Sequence, residues 1–517
     1  DVYKRQLHSF AQAGLSASTS MITTDLGPDL SAQVPHALPT HRDLYYGGAW
    51  HPPGSGNYAH SHSPGTQADL GRYAVADAAD VDAAVTAARQ AFASWRETPP
   101  LTRAALLRQA AAVIRAHGLE LALIDAVDCG NPVKQMQDDA VFAATQLEYF
   151  AGLVMELKGE TIPTLNGSLD YTLREPLGVV ARIIPFNHPF MFAAGKIAAP
   201  LAAGNTVIVK PPEQAPLSTL RLFELIADLF PPGVLNCLTG DRDTGAALSA
   251  HPDVAAVALI GSVNAGKAVM RTAADDLKKV LLELGGKNAM VVYPDADLDK
   301  MALGAVRGMN FTWCGQSCGS TSRLFLHESI HDDVLARIVR LTGELHTPGL
   351  PTDMRTTMGA LVSSQQLDKT LSYVDSAVAE GARVAHGGQR SQDPALAQGY
   401  FVEPTILADV TPTMRVAREE IFGPVLSVLK WSNEEDLYAA VNGVEYGLTA
   451  SIWTTDLRTA HRAAARVQAG YVWINGSSAH FLGAPFGGYK QSGVGREECK
   501  EELLEFTQIK NVNVTLD

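Results

Sequence analysis

The sequence predicts an α/β protein of two domains, and three observations carry that prediction. Short runs rich in Val and Ile alternate with helical segments at 178–184, 206–209, 234–238 and 254–260, the pattern of right-handed βαβ units around a mostly parallel sheet. A second set of strand-like runs follows at 289–292, 322–327, 383–385, 426–430 and 471–474, again with helices between. At 517 residues the chain also exceeds one domain of about 150 residues. The expected organisation is an N-terminal extension over 1–41 followed by two α/β domains, the second beginning near residue 287.

Each element has its own local reason. Residues 1–20 run from Asp1 through Lys4 and Arg5 into a Ser-, Ala- and Gly-rich stretch without further acids; this mimics a transit peptide, but the expected reading is sequence upstream of a translation start at Met21. Ala and Leu recur at helical spacing over 81–93 and 101–123, separated by the turn Thr98-Pro99-Pro100, which predicts two amphipathic helices. The polar, alternating segment 159–174 predicts a hairpin that projects toward another subunit. The most apolar long stretch, 190–209, is broken by Lys196, Pro200, Gly204 and Asn205, so it predicts a helix and then a strand rather than a membrane span.

Composition narrows the function classes. With 46% hydrophobic and 19% charged residues and 44 glycines, the chain reads as a soluble globular enzyme. A formal charge of -14 argues against partners that reward a basic surface, namely nucleic acid and anionic membrane. Five cysteines, odd in number and without a repeated CxxC spacing, fit a reducing, cytoplasmic setting and no metal centre.

Several motifs carry chemistry. Gly315-Gln316-Ser317-Cys318-Gly319 sets a cysteine among small residues just before a strand, where substrate can approach a thiolate; Cys314, four residues earlier, is an equal candidate by chemistry alone. Glu283-Leu284-Gly285-Gly286-Lys287 takes a carboxylate out of a strand into a freely turning backbone. Pro185-Phe186-Asn187-His188-Pro189 puts an amide at the end of a strand, the place where open α/β sheets bind ligands. Gly261-Ser262-Val263-Asn264-Ala265-Gly266 leads from a strand into a helix, which suits phosphate at a helix N-terminus or an ordinary turn. Lys210 and Glu213 read either as ribose ligands or as a solvated pair.

Together these segments resemble the aldehyde dehydrogenase superfamily. The resemblance rests on Ile184-Pro185-Phe186-Asn187, Lys210-Pro211-Pro212-Glu213, Leu259-Ile260-Gly261-Ser262, Leu282-Glu283-Leu284-Gly285-Gly286-Lys287, Gly315-Gln316-Ser317-Cys318, Glu419-Glu420-Ile421-Phe422-Gly423-Pro424 and Pro485-Phe486-Gly487-Gly488-Tyr489-Lys490, in order, over about residues 42–517. It implies the aldehyde dehydrogenase fold, with a Rossmann-like NAD-binding first domain over 42–154 and 178–286, an α/β catalytic second domain over 287–490 and a small β oligomerisation element over 155–177 and 491–517 whose tail adds a strand beside 159–174 of a neighbouring subunit, giving a homodimer or homotetramer. It further implies Cys318 as nucleophile, Glu283 as general base, and Asn187 with the Cys318 backbone N–H as oxyanion donors, with Lys196 assisting the thiolate. For NAD it implies Ile184, Pro185, Phe186, Lys210, Glu213, Gly245, Gly261, Ser262, Leu284, Glu420 and Phe422. Glu213 favours NAD because a 2′-phosphate would set like charges together, although NADP is also used in the family. Glu283 favours hydrolysis over acyl transfer to coenzyme A, since water needs a base more than a thiol does.

Text around Cys318 is most similar to betaine-aldehyde dehydrogenases. Those enzymes box a quaternary ammonium in aromatic rings, whereas here His188 follows Asn187 and Gly195 precedes Lys196, each where a ring is usual. The expectation is a tunnel opened at Gly195 and lined by His188, Phe192, Trp313, Ser317, Phe481 and Phe486, accepting an aromatic or medium-chain aldehyde. Two other classes, an NAD-independent thiol esterase and a retired scaffold, are separated from this reading by whether turnover needs nicotinamide and by the intact set Cys318, Glu283 and Asn187.

Overall fold

The computed structural model describes residues 29–164 and 168–515; residues 1–20 and Met21, with their expected leader or start, lie outside the described residues. Residues 29–41 pack onto the body through two short helices, Ser31–Gln33 and Val34–Ala37, with Leu30 and Ala37 buried.

The first sheet has eight strands in the order Ala49–His51, Leu44–Tyr46, Leu235–Cys237, Thr206–Lys210, Val179–Ile183, Val254–Gly261, Lys279–Leu284 and Gly493–Val494. Its five inner strands are parallel and the edge pairings antiparallel. Alternate residues face opposite layers. Val179, Ala181 and Ile208 pack with Val81, Ala84, Val85 and Ala88 of helix Ala78–Trp95, while Val180, Val207 and Val209 join the helices Pro100–Ala116, Gly118–Cys129 and Val133–Leu153. Burial on both faces is why these strands read as continuous apolar runs. Asp77 and Asp80 form a reciprocal cap that starts Ala78–Trp95, satisfying otherwise unpaired N–H groups. The single helix expected over 101–123 is two helices, because His117 leaves helical geometry at φ -108°, ψ 17°.

The second sheet has seven strands in the order Arg383–His386, Thr405–Ala408, Val425–Trp431, Arg323–His327, Ala289–Val292, Thr449–Trp453 and Tyr471–Ile474, parallel except at the first pairing. Thr405–Ala408 and Thr449–Trp453 were not legible as strands. They are short and carry small or polar residues, and only their place inside the sheet buries all of them.

A third sheet pairs Leu169–Pro176 antiparallel with Thr507–Val514 over eight residues, with Thr161–Ile162 on the other side. This corrects the expectation that the tail joins a neighbouring subunit: the two strands belong to one chain. Leu169, Leu173 and Ile509 remain exposed on them. Among the described residues no helix is long and apolar enough to cross a membrane, and no group of three or more His, Cys, Asp or Glu side chains is placed to hold a metal.

Candidate active site

In the first sheet the chain leaves Val179–Ile183 for the strand on one side and later returns to Val254–Gly261 on the other. At such a switch point the connecting segments diverge and leave a crevice beyond the carboxyl ends of the strands. A cavity of about 830 Å³ occupies that place. Ile184, Pro185, Phe186 and Asn187 enter it from one strand end, Gly261 and Ser262 from the next, and Lys210 and Glu213 from a third. Glu283 and Gly285 follow from the last parallel strand, and the second domain contributes Cys318, Gln366, Lys369, Glu420 and Phe422.

One end of the cavity is polar. Lys210 is buried, and that burial pulls its ammonium down to about 8 against the opposing pull of Glu213 and Asp241. Tyr73 donates its hydroxyl to the Glu213 carbonyl at 3.0 Å, fixing the turn that carries the carboxylate. Ser262 caps helix Val263–Asp275 by accepting the Ala265 N–H at 3.2 Å, so the positive end of a helix opens onto the cavity, where it favours an anion. Gly245 lines the same wall from helix Arg242–Ala250.

At the other end stand the reactive groups. Cys318 is half-buried, whereas Cys129, Cys237, Cys314 and Cys499 are buried; all five are free thiols. The Cys314 thiol donates to the Gly359 carbonyl at 3.0 Å and is buried away from the cavity that Cys318 lines. The Cys318 thiol is held well above its usual range by burial first, and then by the carboxylates of Glu283, Glu420 and Glu498 and its hydrogen bond with Glu283. Burial and the charge of Glu497 push Glu283 up to about 8, against the hydrogen bond to Cys318 and the Lys196 charge. A carboxyl poised there can hold or release a proton near neutral pH. Asn187 is anchored through its carbonyl, which accepts from Asn131 at 2.6 Å. Among the described residues its buried side-chain Oδ1 has no hydrogen-bond partner.

Close backbone packing sets these loops against each other. Gly315 has φ +64°, and a Cβ there would sit 2.2 Å from the Gly423 carbonyl oxygen. A Cβ on Gly285 would lie 2.1 Å from Glu420 Oε2, so glycine lets the Glu420 carboxylate approach and accept the Gly286 N–H at 2.9 Å. Phe422 has φ +56°, a strained conformation for a bulky residue. Gln366 holds it by donating to the Ile421 and Phe422 carbonyls at 2.9 and 2.8 Å.

The family model "Aldehyde dehydrogenase family" matches residues 50–512. The chain belongs to that family. It is 52% identical over 489 residues to the aldehyde dehydrogenase tropH of Talaromyces stipitatus, covering 93% of this chain and 95% of the relative. Among solved structures it is similar to an aldehyde dehydrogenase of Bacillus cereus in complex with NAD+, at 38% identity, TM-score 0.91 and coverage of 95% and 100%. It also matches the betaine aldehyde dehydrogenase of Staphylococcus aureus in complex with NAD+, at 34% identity, TM-score 0.89 and coverage of 92% and 95%.

In this aldehyde dehydrogenase several expected site residues fall outside the cavity. Gly195 does not open a tunnel: the side-chain oxygen of Gln146 lies 1.7 Å from where a Cβ would be, so the space is filled. Lys196 is committed to an ion pair with Glu497 at 3.0 Å. Burial disfavours its charge, but Glu497, Glu502 and Glu498 outweigh that and raise it. The expectation that Lys196 assists the thiol directly thus gives way to an effect on Glu283. Leu284 packs against Gly266 in the core and Gly285 faces the cavity instead. Ser317 faces a separate small crevice with Gly286 and Glu420. Phe481 is half exposed; Phe486 is buried against His480, ring centroids 4.5 Å apart. His188, Phe192 and Trp313 also stand outside the lining of that cavity but meet one another beside Asn187, with His188 within 5.2 Å of Trp313 and 6.0 Å of Phe192.

Sequence reasoning missed Asn288. Buried, it donates to the carbonyls of Cys318 at 2.6 Å and Ser320 at 2.9 Å while accepting the Thr449 N–H at 3.0 Å. No residue pattern marks it, because its partners lie 30 to 161 positions away. Asn288→Ala should destabilise the protein by about 1–3 kcal/mol, since it strands buried polar groups, and should also slow alkylation or acylation at Cys318. Thermal unfolding and the acylation burst measured together check this; an unchanged burst would assign Asn288 to stability alone.

Proposed function

We propose that the protein oxidises an aromatic or medium-chain aldehyde to its carboxylic acid with NAD, through a thiohemiacetal and then a thioester on Cys318. The observation that carries this reading is the single cavity that runs from Lys210 and Glu213 past the N-terminus of helix Val263–Asp275 to Cys318, Glu283 and Asn187. An elongated dinucleotide fits it. Lys210 and Glu213 would hold the adenosine ribose, the helix N-terminus and Ser262 the pyrophosphate, and Glu420 with Phe422 the nicotinamide riboside. Bound NAD supplies the acceptor for the two electrons removed from the aldehyde carbon.

The chain's own groups account for the remaining chemistry. Glu283 takes the thiol proton of Cys318, and the sulfur adds to the aldehyde carbon. The Asn187 side-chain amide and the Cys318 N–H stabilise the oxyanion that forms, as preorganised donors do where charge develops. Once the carbon is oxidised, Glu283 gives the proton it took from the thiol to solvent, then removes a proton from water as it attacks the thioester, and returns that proton to the Cys318 thiolate as the acid departs. The exposed apolar residues of strands Leu169–Pro176 and Thr507–Val514 support self-association through that sheet, and five free thiols accord with a reducing cytoplasm.

The test is absorbance at the reduced-nicotinamide band with benzaldehyde-type, aliphatic and betaine aldehydes and either NAD or NADP. Growth with NAD and a weaker response with NADP are expected, the latter because Glu213 opposes a 2′-phosphate. A clear preference for betaine aldehyde or acetaldehyde would overturn the substrate class, and activity without nicotinamide would favour an esterase.

A further inference from the structure

We propose that His188, held by Asp139, is a specificity-determining residue that selects aromatic aldehydes bearing a hydroxyl on the ring. The inference rests on the aldehyde-oxidising reading above and adds the chemical class of substrate. His188 directly follows Asn187, whose side chain lines the cavity with Cys318. It stands at the N-terminal boundary of helix Pro189–Gly195, where its side chain makes no capping bond. Its Nδ1 lies 2.8 Å from Asp139 Oδ2, and both side chains are largely buried, at 12% and 8% exposure. Asp139 comes from helix Val133–Leu153, so two separate elements lock the ring.

The imidazole sits edge to face between Trp313, at 64°, and Phe192, at 88°. Trp313 lies five residues before Cys318, so this aromatic wall adjoins the nucleophile loop. The polar edge of the ring supplies the discrimination. With Nδ1–H donating to the Asp139 carboxylate, Nε2 is left for a ligand; among the described residues Nε2 has no hydrogen-bond partner and is not among the buried orphan atoms.

A neutral imidazole with its proton on Nδ1 presents Nε2 as an acceptor, which a phenol O–H satisfies. A protonated imidazole presents Nε2–H as a donor, which a phenol or phenolate oxygen satisfies. A ring hydroxyl is therefore matched in either state. A trimethylammonium head group is not, because it offers no hydrogen-bonding atom and meets a histidine where a π face would be needed. An unsubstituted ring leaves Nε2 unpaired as it displaces water, which is the situation in which polar sites reject an analogue lacking the hydroxyl.

The experiment compares benzaldehyde with 2-, 3- and 4-hydroxybenzaldehyde by kcat/KM for the full chain, His188→Phe, His188→Gln and Asp139→Asn. The native enzyme is expected to favour one hydroxybenzaldehyde isomer by at least about 10-fold, a range that one to two hydrogen bonds allow. His188→Phe should bring that ratio to within about 3-fold of unity, chiefly through KM; His188→Gln should keep part of it through its amide. A structural role would slow all four substrates alike and leave the ratio in place. If His188→Phe fails to fold, Asp139→Asn reads the same ratio with the ring retained. Oxidation of benzaldehyde without a hydroxyl preference, or a preference that survives His188→Phe, overturns this inference and leaves the dehydrogenase reading intact. Failure to oxidise any aldehyde sinks the dehydrogenase reading and this inference with it.

Discussion

Cys318→Ala is expected to lower aldehyde-dependent reduction of NAD by on the order of 10⁴-fold or more, the scale on which removal of a covalent nucleophile acts. Cys314→Ala should keep the native order of activity, because its thiol is buried and bonded to the Gly359 carbonyl. The contrast separates two cysteines four residues apart that chemistry alone leaves equal. Alkylation gives an independent readout. In the folded protein iodoacetamide should label Cys318 first, as the other four thiols are buried. Labelling should quicken as pH rises, since burial and the surrounding carboxylates keep the Cys318 thiol protonated and only the thiolate reacts. Native turnover in Cys318→Ala, or labelling confined to another cysteine, would end the assignment.

Glu283→Gln is expected to cost on the order of 10²–10⁴ in steady-state turnover, the usual contribution of a positioned base. Its signature should lie in the shape of the time course. If sulfur addition and oxidation outlast the substitution better than hydrolysis does, a stopped-flow trace will show up to one equivalent of reduced nicotinamide per site and then a slow phase. The pH dependence carries the same assignment. A base acts when deprotonated, and burial with the Glu497 charge pushes Glu283 up to about 8, so turnover limited by hydrolysis should climb with pH until about 8 and then level. That limb should be absent in Glu283→Gln. A variant that retains both the rate and the limb would exclude Glu283 as the base.

The parts of the site legible in the sequence are those whose meaning is local. Cys318 among glycines and serines, Glu283 before a double glycine, and Asn187 between a strand and a prolyl turn all stand in contiguous motifs, and the fold gathers them around one cavity. The strands they terminate were legible too, because runs such as Val179–Ile183 and Thr206–Lys210 are buried on both faces and stay apolar throughout. Gly195 shows where such reading fails. A missing ring looks like empty space along the chain, but Gln146, 49 positions earlier, fills it from a neighbouring helix. Lys196 fails in the same way: its charge is claimed by Glu497, some 300 residues on, and nothing near the lysine announces that partner.

By itself the sequence determined the family, the two-sheet architecture and the segment proposed to carry the nucleophile, because apolar periodicity and motif spacing are properties of neighbours along the chain. Only the tertiary structure decided which strand the tail joins, which groups surround the Cys318 thiol, that Asn288 bonds the Cys318 loop, and that Asp139 meets His188. Burial, ion pairing and hydrogen-bond saturation depend on atoms brought together across tens to hundreds of residues, and their strength is set by desolvation at the contact rather than by the residues on either side of it.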